Sequence, residues 1–146
     1  MRALTAPLEE LGELDEIKKQ LKKKDGCVSL TGCVESQKVH MIYGLSEGCK
    51  NRLIITFSDL RVKELLEDCR FYDRNAMSYP AKDLIFYQAD IHGNQLVTER
   101  IRCLRRMLEG KPVTVVTTLS GLMTPQVPLS VFRQQLLKID QNTQID

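Results

Sequence analysis

The first hydrophobic positions of the chain follow a helical period. Leucine or isoleucine recurs at steps of three or four residues, at Leu8, Leu11, Leu14, Ile17 and Leu21. Acidic residues come early in this stretch and lysines late, which suits the helix dipole, and Asp25-Gly26 supplies a stop signal. The pattern predicts one N-terminal amphipathic helix within residues 1–26.

From residue 27 onward, short apolar runs alternate with helical periods. Strands are predicted at 27–30, at 52–57, from 71 and at 113–118. Helices are predicted at 35–45, from a cap at 58–59 to about 69, and at 94–108. Strands that alternate with helices of this length indicate βαβ units. We therefore predict an α/β subdomain at 27–128, with a mostly parallel sheet and helices on both faces. Residues 129–146 form a C-terminal segment, in which 129–139 reads as strand or helix.

Composition narrows the functional classes. Lys and Arg number 21 against 19 Asp and Glu, and the net charge of +2 does not by itself indicate nucleic-acid or membrane binding. No apolar run approaches the roughly 18 residues that cross a bilayer, and the N-terminus does not resemble a signal peptide. The five cysteines form no C-x-x-C pair, and there are only two histidines, so we expect reduced thiols, no metal site and a cytoplasmic location.

A degenerate phosphate loop follows the first predicted strand. On the pattern G-x-x-x-x-G-K-[ST], Gly32 takes the first glycine and Lys38 the lysine. Gln37 stands at the second glycine, where a Cβ resists the curl of backbone around phosphate. Val39 stands at the hydroxyl position and cannot hold Mg²⁺. No triad, acid–base pair or nucleophile elbow is evident elsewhere, so we predict no catalytic residue.

The helix near residue 100 is rich in arginine. Its basic residues are Arg100, Arg102, Arg105 and Arg106. They are predicted to decorate a solvated face, with a phosphate or protein contact as the alternative. Four aromatic residues around the Pro80 loop, Tyr72, Tyr79, Phe86 and Tyr87, read as a small core under a loop rather than as a docking surface.

Taken together, these segments resemble the N-terminal, UvrB-like region of the bacterial transcription-repair coupling factors (Mfd). The resemblance rests on the order of four segments: the loop from 30 to 40, the stretch ending in Tyr79-Pro80, the arginine helix from 98 to 105, and the strand and turn from 115 to 123, which precede Pro125 and Pro128. UvrB has an intact phosphate loop, so the departures at Gln37 and Val39 favour the coupling factor.

The resemblance implies a RecA-like fold and a role in DNA repair. Full-length members of the family are ATP-dependent DNA translocases that remove stalled RNA polymerase and recruit UvrA for nucleotide excision repair. It further implies that ATP, Mg²⁺, DNA and RNA polymerase bind downstream domains, and UvrA mainly the following subdomain. The 146 residues would then be a non-catalytic scaffold without a cofactor. Two rivals remain: an active phosphate-loop NTPase or kinase, and a small basic nucleic-acid-binding module.

Overall fold

The computed structural model describes residues 2–81 and 90–136. The helices are α1 (Arg2–Thr5), α2 (Leu14–Leu21), α3 (Glu35–Leu45), α4 (Asp59–Tyr72), α5 (Asp90–Leu108), α6 (Leu119–Met123) and α7 (Leu129–Gln135), with a 3-10 turn at Ala6–Glu10. The strands are β1 (Asn51–Thr56), β2 (Ala76–Tyr79) and β3 (Val113–Thr118). None of the helices in these ranges is long and apolar enough to cross a membrane.

The three strands form one parallel sheet in the order β1-β3-β2. Val115 of the central strand lies opposite Leu53 on one side and Met77 on the other. All six residues of β3 are buried, as expected for a β-branched strand that is covered on both faces. The predicted α/β class with a parallel sheet is confirmed.

Helices pack on both faces of this sheet. On one face, α3 and α4 enclose a core with Ile54 and Val116 at its centre. On the other face, α5 packs Cys103 against Val113 and Val115. The prediction of helices on both faces is therefore confirmed as well, and the layering is consistent with a RecA-like fold.

The prediction of a single N-terminal helix is wrong. The segment consists of α1, the 3-10 turn and α2, because Pro7 lies in the first turn of the 3-10 segment and Leu11 is extended. Leu8 and Leu14 are the buried residues of this segment. Leu8 packs against Gly44 of α3, where a Cβ would overlap the leucine side chain. The N-terminal segment therefore packs on the rest of the fold through two buried leucines, not through one continuous apolar stripe of a single helix.

Two strand predictions also need correction. Residues 27–30 form no strand, because the stretch stays at the surface: none of its residues is buried, and Leu30 is 42% exposed. The strand predicted from residue 71 starts instead at Ala76. Tyr72 ends α4, and its ring stacks on Tyr43 with centroids 4.8 Å apart. The stretch at 129–139, left open by the sequence, is helical as far as Gln135.

Candidate functional site

The segment that resembles a phosphate loop enters α3 without a preceding strand. Gly32 has a left-handed φ of 76°, and nothing lies within 4 Å of the position a Cβ would take. Gln37 lies in the first turn of α3, where its side-chain oxygen accepts a hydrogen bond from the Val34 N–H at 3.2 Å. The residue that replaces the second glycine therefore satisfies one of the backbone donors at the start of the helix.

Lys38 is held by a carboxylate of its own helix. Its Nζ lies 2.5 Å from Oε1 of Glu35. Glu35 also pairs with Arg61 of α4, which contacts Glu64 at 2.8 Å. The charge that would bind a polyphosphate is thus matched by a carboxylate at the same helix start, and the ion pairs connect α3 to α4.

Val39 occupies the hydroxyl position of the loop pattern and belongs to the core. Its side chain is 1% exposed and packs with the α3–α4 cluster. The residue at the hydroxyl position of the pattern therefore supplies no ligand for Mg²⁺, and the lysine before it is ion-paired. No group of three potential metal ligands occurs among residues 4–81 and 95–136, whose side chains the structure describes.

The structure separates the four arginines of α5. Arg102 and Arg105 are exposed, and Arg105 donates to Glu109 at 2.9 Å. Arg106 is half-buried and donates to the Pro112 carbonyl at 2.9 Å. Arg100 is only 2% exposed, so the prediction that it lies on a solvated face is wrong. The four side chains do not form one basic surface.

Arg100 lies at the carboxyl end of the sheet and is surrounded by neutral acceptors. Its Nη1 donates to the carbonyls of Pro80 at 2.5 Å and Gly121 at 3.1 Å. Its Nη2 donates to the Tyr79 hydroxyl at 2.9 Å and the Thr124 carbonyl at 3.4 Å, and the guanidinium lies 4.0 Å from the centre of the Tyr79 ring. Burial lowers the pKa of Arg100 and raises that of Tyr79.

The spacing of apolar residues along α5 indicates that Arg100 is buried, although the charge of the arginine suggests exposure. Arg100 follows Leu96 by four residues and precedes Cys103 and Leu104 by three and four, so it belongs to the inward stripe of α5. One guanidinium ties the end of β2 to α6 and to the chain that follows it. Arg100 is therefore a structural group at the carboxyl edge of the sheet, the edge at which open α/β proteins bind ligands.

A cleft of about 660 Å³ opens beside this edge, between α4 and α5. Its polar lining includes Asp59, Lys63, Ser78 and Glu99, and the Ser78 hydroxyl donates to Glu99 at 2.5 Å. The described lining contains no histidine or cysteine to act as a base or nucleophile. Of the aromatic residues predicted around Pro80, Tyr79 is buried under α5, whereas Phe86 and Tyr87 lie outside the described residues.

Fold and site together define an α/β protein with a parallel sheet, in which the lysine in the first turn of α3 is ion-paired. Comparison with known proteins then gives named relatives. The chain is 26% identical over 122 residues to transcription-repair-coupling factors of Staphylococcus aureus strains USA300, NCTC 8325 and MRSA252. The match covers 80% of this chain and a tenth of the length of each relative. No family model and no solved structure matches it. The relatives confirm the resemblance that the sequence indicated.

Proposed function

We propose that this chain is the UvrB-like part of a transcription-repair coupling factor and acts there as a non-catalytic scaffold. The likeness to the Staphylococcus proteins supports the family. The observation that carries the non-catalytic role is the state of the loop: Lys38 pairs with Glu35, and Val39 is buried in the core. Building a nucleotide site there would require breaking the first contact and placing a hydroxyl in an apolar cluster.

The test of this role is nucleotide binding. We expect no stabilisation by Mg-ATP in a thermal denaturation series and no heat of binding in calorimetry. A ligand present at about 100 times its dissociation constant would stabilise the fold by about 2.7 kcal/mol, which is readily measured. A micromolar dissociation constant that Lys38→Ala abolishes would overturn the proposal and favour an active phosphate-loop enzyme. The Lys23→Ala variant, which removes an exposed lysine outside the loop and the cleft, is the matched control.

The activity of the whole protein lies, in this proposal, outside the chain. ATP hydrolysis with Mg²⁺, DNA translocation and contact with RNA polymerase would belong to the other nine tenths of a polypeptide as long as the relatives. The protein would act in the cytoplasm, where transcription and repair take place in bacteria.

Recruitment of UvrA is assigned to the subdomain that follows this one. Specific interfaces need on the order of 800 Å² per partner with a packed centre. The arginines of α5 provide no such centre, since Arg100 is buried and Arg105 is paired with Glu109. We expect immobilised UvrA to retain a polypeptide extended through the next subdomain but not the 146-residue chain. Equal retention of both would place the recruiting surface here.

The nucleic-acid-binding rival predicts tight DNA binding by the isolated chain. We expect only weak binding that disappears as salt is raised, because few arginines are free to contact successive phosphates. A sub-micromolar complex at roughly 150 mM salt in fluorescence anisotropy would contradict this expectation.

A further inference from the structure

The two faces of the sheet are covered unequally. Residues 53 and 55 of β1 point to the same face as Val113 and Val115 of β3, as the parallel register requires. Val113 and Val115 are 1% and 6% exposed under α5, but Leu53 and Ile55 are 56% and 53% exposed. On the opposite face, β1 is covered, and Ile54 is 8% exposed. One face thus carries α3 and α4, whereas the other carries α5 and leaves β1 open.

The flank of α5 that faces this opening is also apolar. Glu99 bonds to Ser78 on edge strand β2, so that flank of α5 points away from β1. By helical spacing, Val97 and Ile101 lie on the other flank, above the β1 side, and they are 41% and 42% exposed. Leu53 and Ile55 form a floor and Val97 and Ile101 a wall of one apolar channel, which we call the β1 groove.

The free edge of β1 carries none of the devices that usually keep a strand edge apart from other chains. Within the described residues, no strand pairs with β1 on its outer side. The strand has no proline or lysine and shows no bulge in its pairing with β3. Its one charged residue, Arg52, is used on the other face, where it donates to Ser46 at 2.5 Å and lies over the Tyr43 ring. The edge and the groove are therefore suited to a permanent partner rather than to water.

The dimensions of the groove fit a helix that runs beside α5. The floor from Leu53 to Phe57 is about 13 Å long, at about 3.3 Å per strand residue. The wall from residue 97 to 108 is about 17 Å long, which corresponds to about eleven helical residues. Phe57, 89% exposed, continues the apolar surface beyond the end of the strand. The exposed Arg102 and Arg105 follow the wall on its solvent side, so an acidic flank on the incoming helix would complement them.

We propose that the β1 groove is filled by an amphipathic helix of the same polypeptide from outside these 146 residues. That helix has apolar residues at i, i+4 and i+7 and acidic residues beside them. Parallel sheets are buried on both faces, so a second helix beside α5 completes the layer with material from the same folding unit. The inference rests on the proposed function in one respect: the relatives are about ten times longer than the match, which leaves ample chain for the helix.

The test compares amide hydrogen exchange in the 146-residue chain and in the full natural polypeptide that contains it. We expect residues 51–57 and 97–108 to exchange at least tenfold more slowly in the full polypeptide. The variants Ile55→Glu and Ile101→Glu should remove that difference while leaving the short chain folded, because both positions are open to solvent there. Phe71→Glu, at an 80% exposed position on α4, is the matched control and should leave it intact.

Several outcomes would overturn the proposal. Equal exchange in both polypeptides means that the groove stays open. The 146-residue chain could itself be protected from exchange. If that protection grows with protein concentration and is lost in Ile55→Glu, the groove is occupied by a second copy of the chain. If the full polypeptide binds UvrA but its residues 51–57 and 97–108 are not protected from exchange, the groove helix is refuted and the proposed function stands. A reading frame that ends at Asp146 refutes the proposed function together with it.

Discussion

Replacing Arg100 by methionine tests whether the buried guanidinium organises the carboxyl edge of the sheet. Methionine keeps much of the side-chain length and removes every donor. The buried Gly121 carbonyl then loses its partner, and the Tyr79 hydroxyl loses a charged donor but keeps its hydrogen bond to the Gln126 side chain. The carbonyls of Pro80 and Thr124 are only part-buried at these contacts and can turn to water.

The magnitude follows from these contacts. The Gly121 carbonyl left without a partner costs about 1–3 kcal/mol, and the lost hydrogen bond between the guanidinium and the Tyr79 hydroxyl costs about 1.5–3 kcal/mol, or about 2.5–6 kcal/mol together. Part of this is offset because the variant no longer buries a cation, which itself carries a desolvation penalty. We expect a net loss of about 2–4 kcal/mol, or a fall in Tm of roughly 5–15 °C for a domain of this size.

Urea denaturation followed by circular dichroism measures this loss. Arg102→Met is the matched control, since Arg102 lies two residues away on the same helix and is exposed. Its free energy of unfolding should change by less than about 0.5 kcal/mol. If Arg100→Met were as stable as Arg102→Met, the guanidinium would contribute nothing net and the reasoning would fail.

Three further predictions concern other contacts. Gly44→Ala should cost about 1–3 kcal/mol in urea denaturation by displacing Leu8, and it should cost nothing further in a Leu8→Ala background. Ser58→Ala should cost about 1 kcal/mol in the same assay, because its hydroxyl caps α4, and unchanged stability would argue against the cap. Hydrogen bonds from Lys111 and Arg105 lower the pKa of Glu109 from 4.5 to about 2. The contacts of Glu109 with Lys111 and Arg105 therefore stabilise the fold fully above the pKa of the unfolded chain, 4.5. This stabilisation is lost as the pH falls from 4.5 toward 2. An NMR titration should show this midpoint, and Lys111→Ala should raise it.

The elements with strong local signals were predictable from sequence. The β-branched run at 113–118 gives the bounds of β3, and the cap at Ser58 gives the start of α4, which ends at Tyr72, three residues beyond its predicted end. The helix α3 was predicted with its exact bounds, 35–45, because a helical apolar period begins directly after the loop. Each of these signals comes from residues that are close together in one helix or strand. A single sequence is therefore enough to show it.

The errors arose where long-range packing decided the outcome. Residues 27–30 are as apolar as a short strand, but the sequence does not show that this stretch stays at the surface with none of its residues buried. Arg100 was placed outside because of its charge, although Tyr79, Gly121 and Thr124 provide acceptors for it from segments more than 20 residues away. The apolar period of the N-terminal segment was real, but Leu8 is directed onto Gly44 and not along a common stripe.

The start of α3 also limits which substitutions the fold tolerates there. Replacing Gln37 by glycine would restore the pattern but remove the hydrogen bond to Val34 and place a flexible residue in the first turn of α3, at about 1 kcal/mol. Replacing Val39 by threonine would put a hydroxyl into the apolar core, at about 1 kcal/mol even when it bonds to the carbonyl one turn earlier in α3. Each step back toward a nucleotide site weakens the protein before any ligand can bind. Stability alone therefore favours the residues that now occupy positions 37 and 39, whether or not a nucleotide is present.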